Sequence, residues 1–257
     1  MNNIKKVLVP VDFSETSKNT LNYLAGLVKS SPDIEVTLLH ICAPEQELSS
    51  SLSEELEALS KQWSDQLPLC VSRMEQGKLV DTIIGVQKDL SSDLIVMGTH
   101  GSHDEESETN TSRLVLQADC PVLVIPTNTR SFKLKNIALA LGENTIDNMG
   151  GLRALHDIAR SFDATVHILT INRNGGRPSV KEENQQILEY YLDSLLYFHA
   201  FPQNADIELG ISEYIKEQSI DMLAILPRNH TKTTKPSEGR LTKLLTLHAE
   251  VPLLTVD

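Results

Sequence analysis

The chain repeats itself, and the repeat constrains the fold more than any local motif does. Ile4-Lys5-Lys6-Val7-Leu8-Val9 matches Leu134-Lys135-Asn136-Ile137-Ala138-Leu139 in pattern. Val36-Thr37-Leu38-Leu39-His40-Ile41 likewise matches Val166-His167-Ile168-Leu169-Thr170-Ile171, and both offsets are 130 residues. Further on, Asp93 to Met97 matches Asp221 to Ile225 at an offset of 128, and Pro121 to Ile125 matches Pro252 to Val256 at 131. Few identities survive, yet four blocks in the same order imply two copies of one fold. The expected domains are residues 1–127 and 132–257, with Asn128-Thr129-Arg130-Ser131 as the linker, and a length of 257 residues accommodates two domains.

Within each copy, short continuous apolar runs alternate with amphipathic stretches. Continuous runs suit parallel strands covered on both faces by crossover helices. The first copy is expected to place strands near 4–9, 34–41, 69–74, 93–97 and 121–125. Ser14 is an expected N-cap for a helix whose apolar face holds Leu21, Leu24, Ala25 and Val28. A second, acidic helix is expected over about 50–66, and a third from Val80 to Leu90 with Ile83, Ile84 and Val86 apolar. A fourth ends before Cys120-Pro121. The order βαβαβαβαβ reads as a doubly wound α/β sheet. The second copy repeats it, with Leu152, Leu155, Ile158 and Ala159 on its first helix and a long second helix over Glu182 to Phe198. The stretch from Ile187 to Phe198 is more apolar than one stripe requires, which reads either as core packing or as a contact surface for another subunit. The third strands, around Leu69 to Met74 and Tyr197 to Gln203, are only weakly patterned.

Composition narrows the function. A formal charge of −12 without a local basic patch argues against a nucleic-acid partner. Cys42, Cys70 and Cys120 are odd in number, lack CxxC spacing and adjoin apolar runs, so they read as buried free thiols in a reducing compartment. The start Met1-Asn2-Asn3-Ile4 leads directly into a strand-like segment, and no run of about 18 apolar residues occurs. A cytoplasmic protein without a membrane partner is expected. No G-x-S-x-G elbow, P-loop or HExxH is present, so a catalytic role is not expected. His100 and His103, near Asp104, lie on a polar loop without a third fixed ligand, and no metal site is expected there.

Three segments then converge: Val9-Pro10-Val11-Asp12-Phe13-Ser14, Asp93-Leu94-Ile95-Val96-Met97-Gly98-Thr99-His100-Gly101, and Cys120-Pro121-Val122-Leu123-Val124-Ile125. Together they resemble the universal stress protein family, and the duplication resembles its tandem form. The resemblance implies a fold like that of the adenine nucleotide alpha hydrolases, with a five-stranded parallel sheet in the order 3-2-1-4-5 in each copy. It also implies pairing of the two copies through their fifth strands, which would cover two edges that otherwise invite aggregation. Some members bind ATP at the carboxyl ends of the strands, where strand order reverses. By resemblance, Asp12, following Pro10, would hold ribose or adenine, and main chain at His40 and Ile41 would meet adenine. Gly98 and Gly101 would begin a glycine motif of the form G-x2-G-x9-G-[ST], whose backbone N–H groups receive phosphate, and Met97 would join them in the nucleotide pocket.

The sequence departs from that motif. Anchored on Pro121, the third glycine falls at Glu108, with Thr109 as its hydroxyl partner and Asn110-Thr111 before the last helix. Only six residues, 102–107, then separate Gly101 from that position. An alternative alignment ends the motif at Thr111-Ser112 and keeps nine residues. Either way the third glycine is missing. The loop Ser102-His103-Asp104-Glu105-Glu106-Ser107-Glu108 carries four carboxylates where a triphosphate needs donors. Gly98 and Gly101 can also be read as a tight strand-to-helix turn, and Asp12 as a helix cap. In the second copy Asp12 is answered by Gly142, Gly98 by Leu226 and Gly101 by Asn229. Gly239 stands at the third-glycine spacing and is followed by Arg240. ATP binding is expected to be weak or lost in the first copy and absent from the second, whose basic loop Pro227 to Lys235 reads as solvated or as anion-attracting. The leading expectation is a non-enzymatic stress-response protein acting through unidentified protein partners or a homodimer. The competing expectation is an ATP or AMP sensor using the first pocket, with a slow ATPase a weaker third.

Overall fold

A computed structural model describes the chain except residues 2, 30, 46–48, 102–108, 130, 143–145, 147–149, 174, 176–179, 227–238 and 257. Of residues 150, 239–241 and 247 it describes the backbone alone. In the first half, β1 (Lys6–Pro10), α1 (Glu15–Val28), β2 (Glu35–Cys42), α2 (Ser50–Trp63), β3 (Leu69–Gln76), α3 (Leu79–Leu90), β4 (Leu94–Thr99), α4 (Asn110–Gln117) and β5 (Val122–Pro126) alternate as expected. The second half gives β6 (Asn136–Ala140), α5 (Gly150–Ser161), β7 (Thr165–Leu169), α6 (Glu182–Leu192), β8 (Tyr197–Ala200), α7 (Ile207–Glu217), β9 (Met222–Ile225), α8 (Gly239–Leu247) and β10 (Leu253–Thr255).

Each half forms a parallel sheet in the order 3-2-1-4-5. The two fifth strands pair antiparallel, Leu254 opposite Leu123 and Thr255 opposite Val122, to give one ten-stranded sheet. The Thr255 hydroxyl donates to Val122 O at 3.1 Å, and α4 packs on α8 across the same seam. Fusing the fifth strands removes the two edges that each half would otherwise expose.

Alternation along the strands fills two apolar layers. Val7 and Val9 of β1 point to the α1 side, and Leu8 points to the α3 and α4 side. On α1, Leu21, Leu24 and Val28 are buried as expected, and on α5 so are Leu152, Leu155, Ile158 and Ala159. Each such Leu contributes about 1.5–3 kcal/mol by leaving water. Both layers run through both halves. Phe132, in the connection, packs against Gly26 and sits between Tyr23 at 5.1 Å and Phe162 at 4.9 Å, tying α1 to α5.

The two copies also share a backbone clamp. Asp93 accepts from Lys5 N and Lys6 N at 2.8 and 2.9 Å, and Asp221 accepts from Lys135 N and Asn136 N at 2.8 and 3.0 Å. Each carboxylate thereby fixes the start of the central strand of its half.

The long helix expected over Glu182 to Phe198 is corrected. It ends at Leu192, and Tyr197–Ala200 forms the edge strand β8, paired with β7. Leu195 N donates to Leu192 O in the intervening turn. Tyr-Phe-His is a strand-prone run, and its pairing satisfies the edge of β7, which a continued helix would leave open. The excess apolar surface is thus divided: Leu188 and Leu192 are buried, while Tyr190 and Leu196 are 79% and 72% exposed. The weak patterning of the two third strands has a related cause. As sheet edges they are partly exposed on both faces, and Leu69 and Val71 of β3 reach solvent. The second helix of the first half is also shorter than expected, stopping at Trp63, where the Ser64 hydroxyl donates to Lys61 O.

Candidate functional site

Strand order reverses between β1, which pairs with β2, and β4 on its other side. The connections after β1 and β4 therefore diverge and leave a crevice at the carboxyl ends of the strands. The connection after β1 is held by Val11 N, which donates to Leu39 O at 2.9 Å. Next comes Asp12, whose Oδ1 accepts three bonds: from the Ser14 hydroxyl at 2.6 Å, the Ser17 hydroxyl at 2.6 Å and Ser14 N at 3.1 Å. Ser14 caps α1 through Ser17 N at 3.2 Å, as its position predicts. Oδ2 of Asp12 makes no hydrogen bond among the described residues. Burial works against the Asp12 charge, but the Ser14 and Ser17 hydroxyls and the backbone N–H groups of Ser14 and Asp12 outweigh it and hold the carboxyl below its ordinary value. The crevice therefore carries an anion with one free acceptor oxygen at neutral pH.

Phe13 has φ +63°, a left-handed conformation that a bulky residue seldom adopts. The strain turns its ring onto His40, with centroids 4.8 Å apart. His40 Nδ1 pairs with Val11 O at 2.9 Å, so β2 braces the connection after β1. Strand alternation separates the other expected residues: Ile41 and Met97 pack toward the α3 and α4 layer, whereas Gly98 faces α1. Pro10 ends β1, buried on the same side as Leu8.

Gly98 is required by packing. A Cβ there would lie 2.5 Å from Thr16 Cγ2, 2.6 Å from Thr20 Oγ1 and 3.2 Å from Thr16 O. Gly101 has φ +70°, and its N–H donates to Thr99 Oγ1 at 3.0 Å, which makes it the turn residue of the connection. Thr109 is the N-cap of α4 and forms a capping box with Ser112. Asn110 is exposed at the first helical position, whereas Ser112 is fully buried. The acidic loop 102–108, with His103, lies outside the described residues. His100 meets Thr16 Oγ1 at 2.9 Å and Thr127 Oγ1 at 3.1 Å, and Asn19 donates to Thr127 O at 3.1 Å. Sequence reasoning missed this cluster, which joins α1, β4 and the end of β5. It missed Ser17 as well, although Ser14-x-x-Ser17 directly after Asp12 is a legible capping signal. Among the described residues, no group of three His, Cys, Asp or Glu could hold a metal.

At the matching crevice of the second half, Leu141 N donates to Leu169 O at 2.8 Å, as Val11 N does to Leu39 O. Gly142 follows, without a carboxylate, and Leu226 stands directly after β9. The stretch from Pro227 to Lys235 with Asn229 lies outside the described residues. Gly239 begins α8.

A model of the universal stress protein family matches residues 3–126. Residues 3–126 thus form a universal stress protein domain. A universal stress protein of Synechocystis is 28% identical over 134 residues, which cover 48% of this chain and 85% of that one. The crystal structure of a universal stress protein from Archaeoglobus fulgidus superposes with a TM-score of 0.74 at 14% identity. It covers 98% of this chain and 96% of its own. A functionally unknown protein from Pseudomonas aeruginosa gives 0.66 at 18% identity, with 98% and 92% covered. Two-domain coverage at such low identity shows a shared tandem fold. No described helix of the chain is long and apolar enough to cross a membrane.

Proposed function

We propose that this tandem universal stress protein is a non-enzymatic stress-response regulator that acts through protein partners, with weak or absent ATP binding. The observation that carries this reading is the link between Gly101 and α4. Thr109, the hydroxyl expected to meet phosphate, is committed to capping its own helix. The seven residues before it, 102–108, include Asp104, Glu105, Glu106 and Glu108. An added like charge close to a carboxylate costs about 1–4 kcal/mol at surface-like dielectrics, and a triphosphate brings several. Gly98 supports the same reading, because helix packing accounts for it without a ligand. In the second half, Gly142 leaves no carboxylate for a ribose.

One observation favours a second reading, a sensor of adenine nucleotides with fewer phosphates. Oδ2 of Asp12 is open and charged, as ribose hydroxyls require, and AMP places less charge against the loop than ATP does. Calorimetric titration of ATP and AMP separates the two, run beside Asp12→Ala and a loop variant carrying D104N, E105Q, E106Q and E108Q. The regulator reading expects no saturable ATP binding up to millimolar in the unaltered chain and a gain of at least about tenfold in the loop variant. Saturable ATP binding that disappears in Asp12→Ala would overturn it, and AMP binding alone would establish the second reading.

A further inference from the structure

The second half holds a cavity that is separate from either crevice. It has a volume of about 330 Å³ and lies between α7, α8 and the connection into β10. Its floor is apolar and buried, made by Ile211, Ile215, Leu223, Leu245 and Leu253. Its rim mixes polar side chains with the apolar Ala249, Val251 and Leu209, the last 52% exposed. Size and lining fall within the range of small-molecule sites, a mostly apolar concavity with few polar groups.

The internal repeat supplies a control for this cavity, because the first half carries the same elements in register. Ser91 and Ser219 both turn left-handed after their helices, with φ of 52° and 50°. The Lys88–Asp119 ion pair at 3.0 Å matches Lys216–Glu250 at 2.9 Å. In that register Val80, 2% exposed, corresponds to Glu208, and the exposed Asp81 corresponds to Leu209. Ile84 corresponds to Ser212. Packing alone favours the first arrangement, with the apolar residue inside and the carboxylate outside. The second half inverts it, placing a carboxylate over an apolar floor and a leucine in solvent.

The rim is acidic. Glu208 Oε1 meets His248 Nδ1 at 2.6 Å. Glu250 Oε1 accepts from Lys216 Nζ at 2.9 Å and from the Ser212 hydroxyl at 3.1 Å. Asp206 Oδ1 accepts from Leu209 N at 2.9 Å as the cap of α7. The second oxygen of each carboxylate makes no hydrogen bond among the described residues. Three carboxylates thus face one lysine and one histidine, so the rim attracts cations and repels anions.

We propose that this cavity binds a small organic cation, an aryl- or alkylamine whose apolar body lies over Ile211, Ile215 and Leu245 and whose ammonium donates to Glu208 and its acidic neighbours. The probes 4-phenylbutylamine, 4-phenylbutan-1-ol and 4-phenylbutyrate share one apolar body and differ in charge. Each is titrated into the full chain while the Ile, Leu and Val methyl resonances are followed. The amine should shift Ile211, Ile215, Leu245 and Val251 saturably and bind at least about tenfold more tightly than the butyrate. Glu208→Gln should cut amine affinity at least about fivefold and leave the alcohol unchanged. Ser212→Phe should abolish the shifts by filling the space. If Glu208→Gln fails to fold, Glu250→Gln on the exposed rim provides the charge arm. Equal affinity for amine and alcohol or for amine and butyrate, shifts mapping to other methyls, no saturable shift, or amine binding unaffected in Ser212→Phe would each overturn the proposal.

Discussion

Gly98→Ala distinguishes a glycine kept for packing from one kept for a phosphate. Its Cβ would enter 2.5 Å from Thr16 Cγ2 and 2.6 Å from Thr20 Oγ1, against about 3.5–4.0 Å for relaxed carbon contacts. Relief requires α1 to move outward or both threonines to shift, and overpacking of this kind costs about 1–3 kcal/mol. The Thr20 hydroxyl also donates to Thr16 O at 2.8 Å while fully buried, and disturbing that bond adds about 1 kcal/mol. Reduced freedom of the unfolded chain returns about 0.4–1 kcal/mol. The net expectation is a loss of about 2 kcal/mol. Urea unfolding followed by fluorescence of Trp63 reports on this half, because Trp63 is the one tryptophan of the chain and is buried in the α1 layer. In a Thr16→Ser, Thr20→Ala background both close atoms are gone, and the same substitution should cost less than about 0.5 kcal/mol. A Gly98→Ala protein of unaltered stability, or one with an equal loss in both backgrounds, would refute the packing argument.

Acid sensitivity should centre in part on Asp221. Burial opposes its charge, but bonds from Lys133, Lys135 N and Asn136 N hold its carboxyl below the ordinary 3.8, so its stabilisation is present above that pH and disappears as pH falls through the folded value. Asp221→Ala should lose about 2 kcal/mol at pH 7 and much less at pH 3 relative to the unaltered chain in urea titrations; equal losses at both pH values would contradict this. Ser91→Gly and Ser219→Gly, at left-handed helix ends, should each gain about 0.5–1 kcal/mol in the same assay, and a loss at both positions would count against the strain assignment. A fragment of residues 1–127 exposes β5 and should sediment as a dimer joined through Val122 to Pro126; a stable monomer would show that the edge needs no partner.

The strand and helix order was legible because its causes are local. Buried parallel strands read as unbroken apolar runs, and Ser14 ahead of a helical stripe reads as a cap. The duplication, visible only as pattern, extended the same reading to residues with almost no shared identity. Reading failed at Glu182 to Phe198, where helical and strand periodicities abut and the choice depends on an edge of β7 that is distant in sequence. It failed again at the crevice. Asp12, Gly98 and Thr109 could be named from the family resemblance, but Ser17 and Ser112 occupy Asp12 and Thr109 through local capping that was overlooked, and Thr16 reaches Gly98 only in the folded chain.

Two βα copies, their offset and the loss of the third glycine follow from the residues alone, because composition and periodicity act over a few residues at a time. Tertiary packing set Gly98 against α1, joined His100 to Thr16 and Thr127, and opened a groove beneath Leu209 in the second copy at the place where the first copy buries Val80. Those outcomes depend on distances of a few ångströms between segments tens of residues apart, which no local pattern encodes.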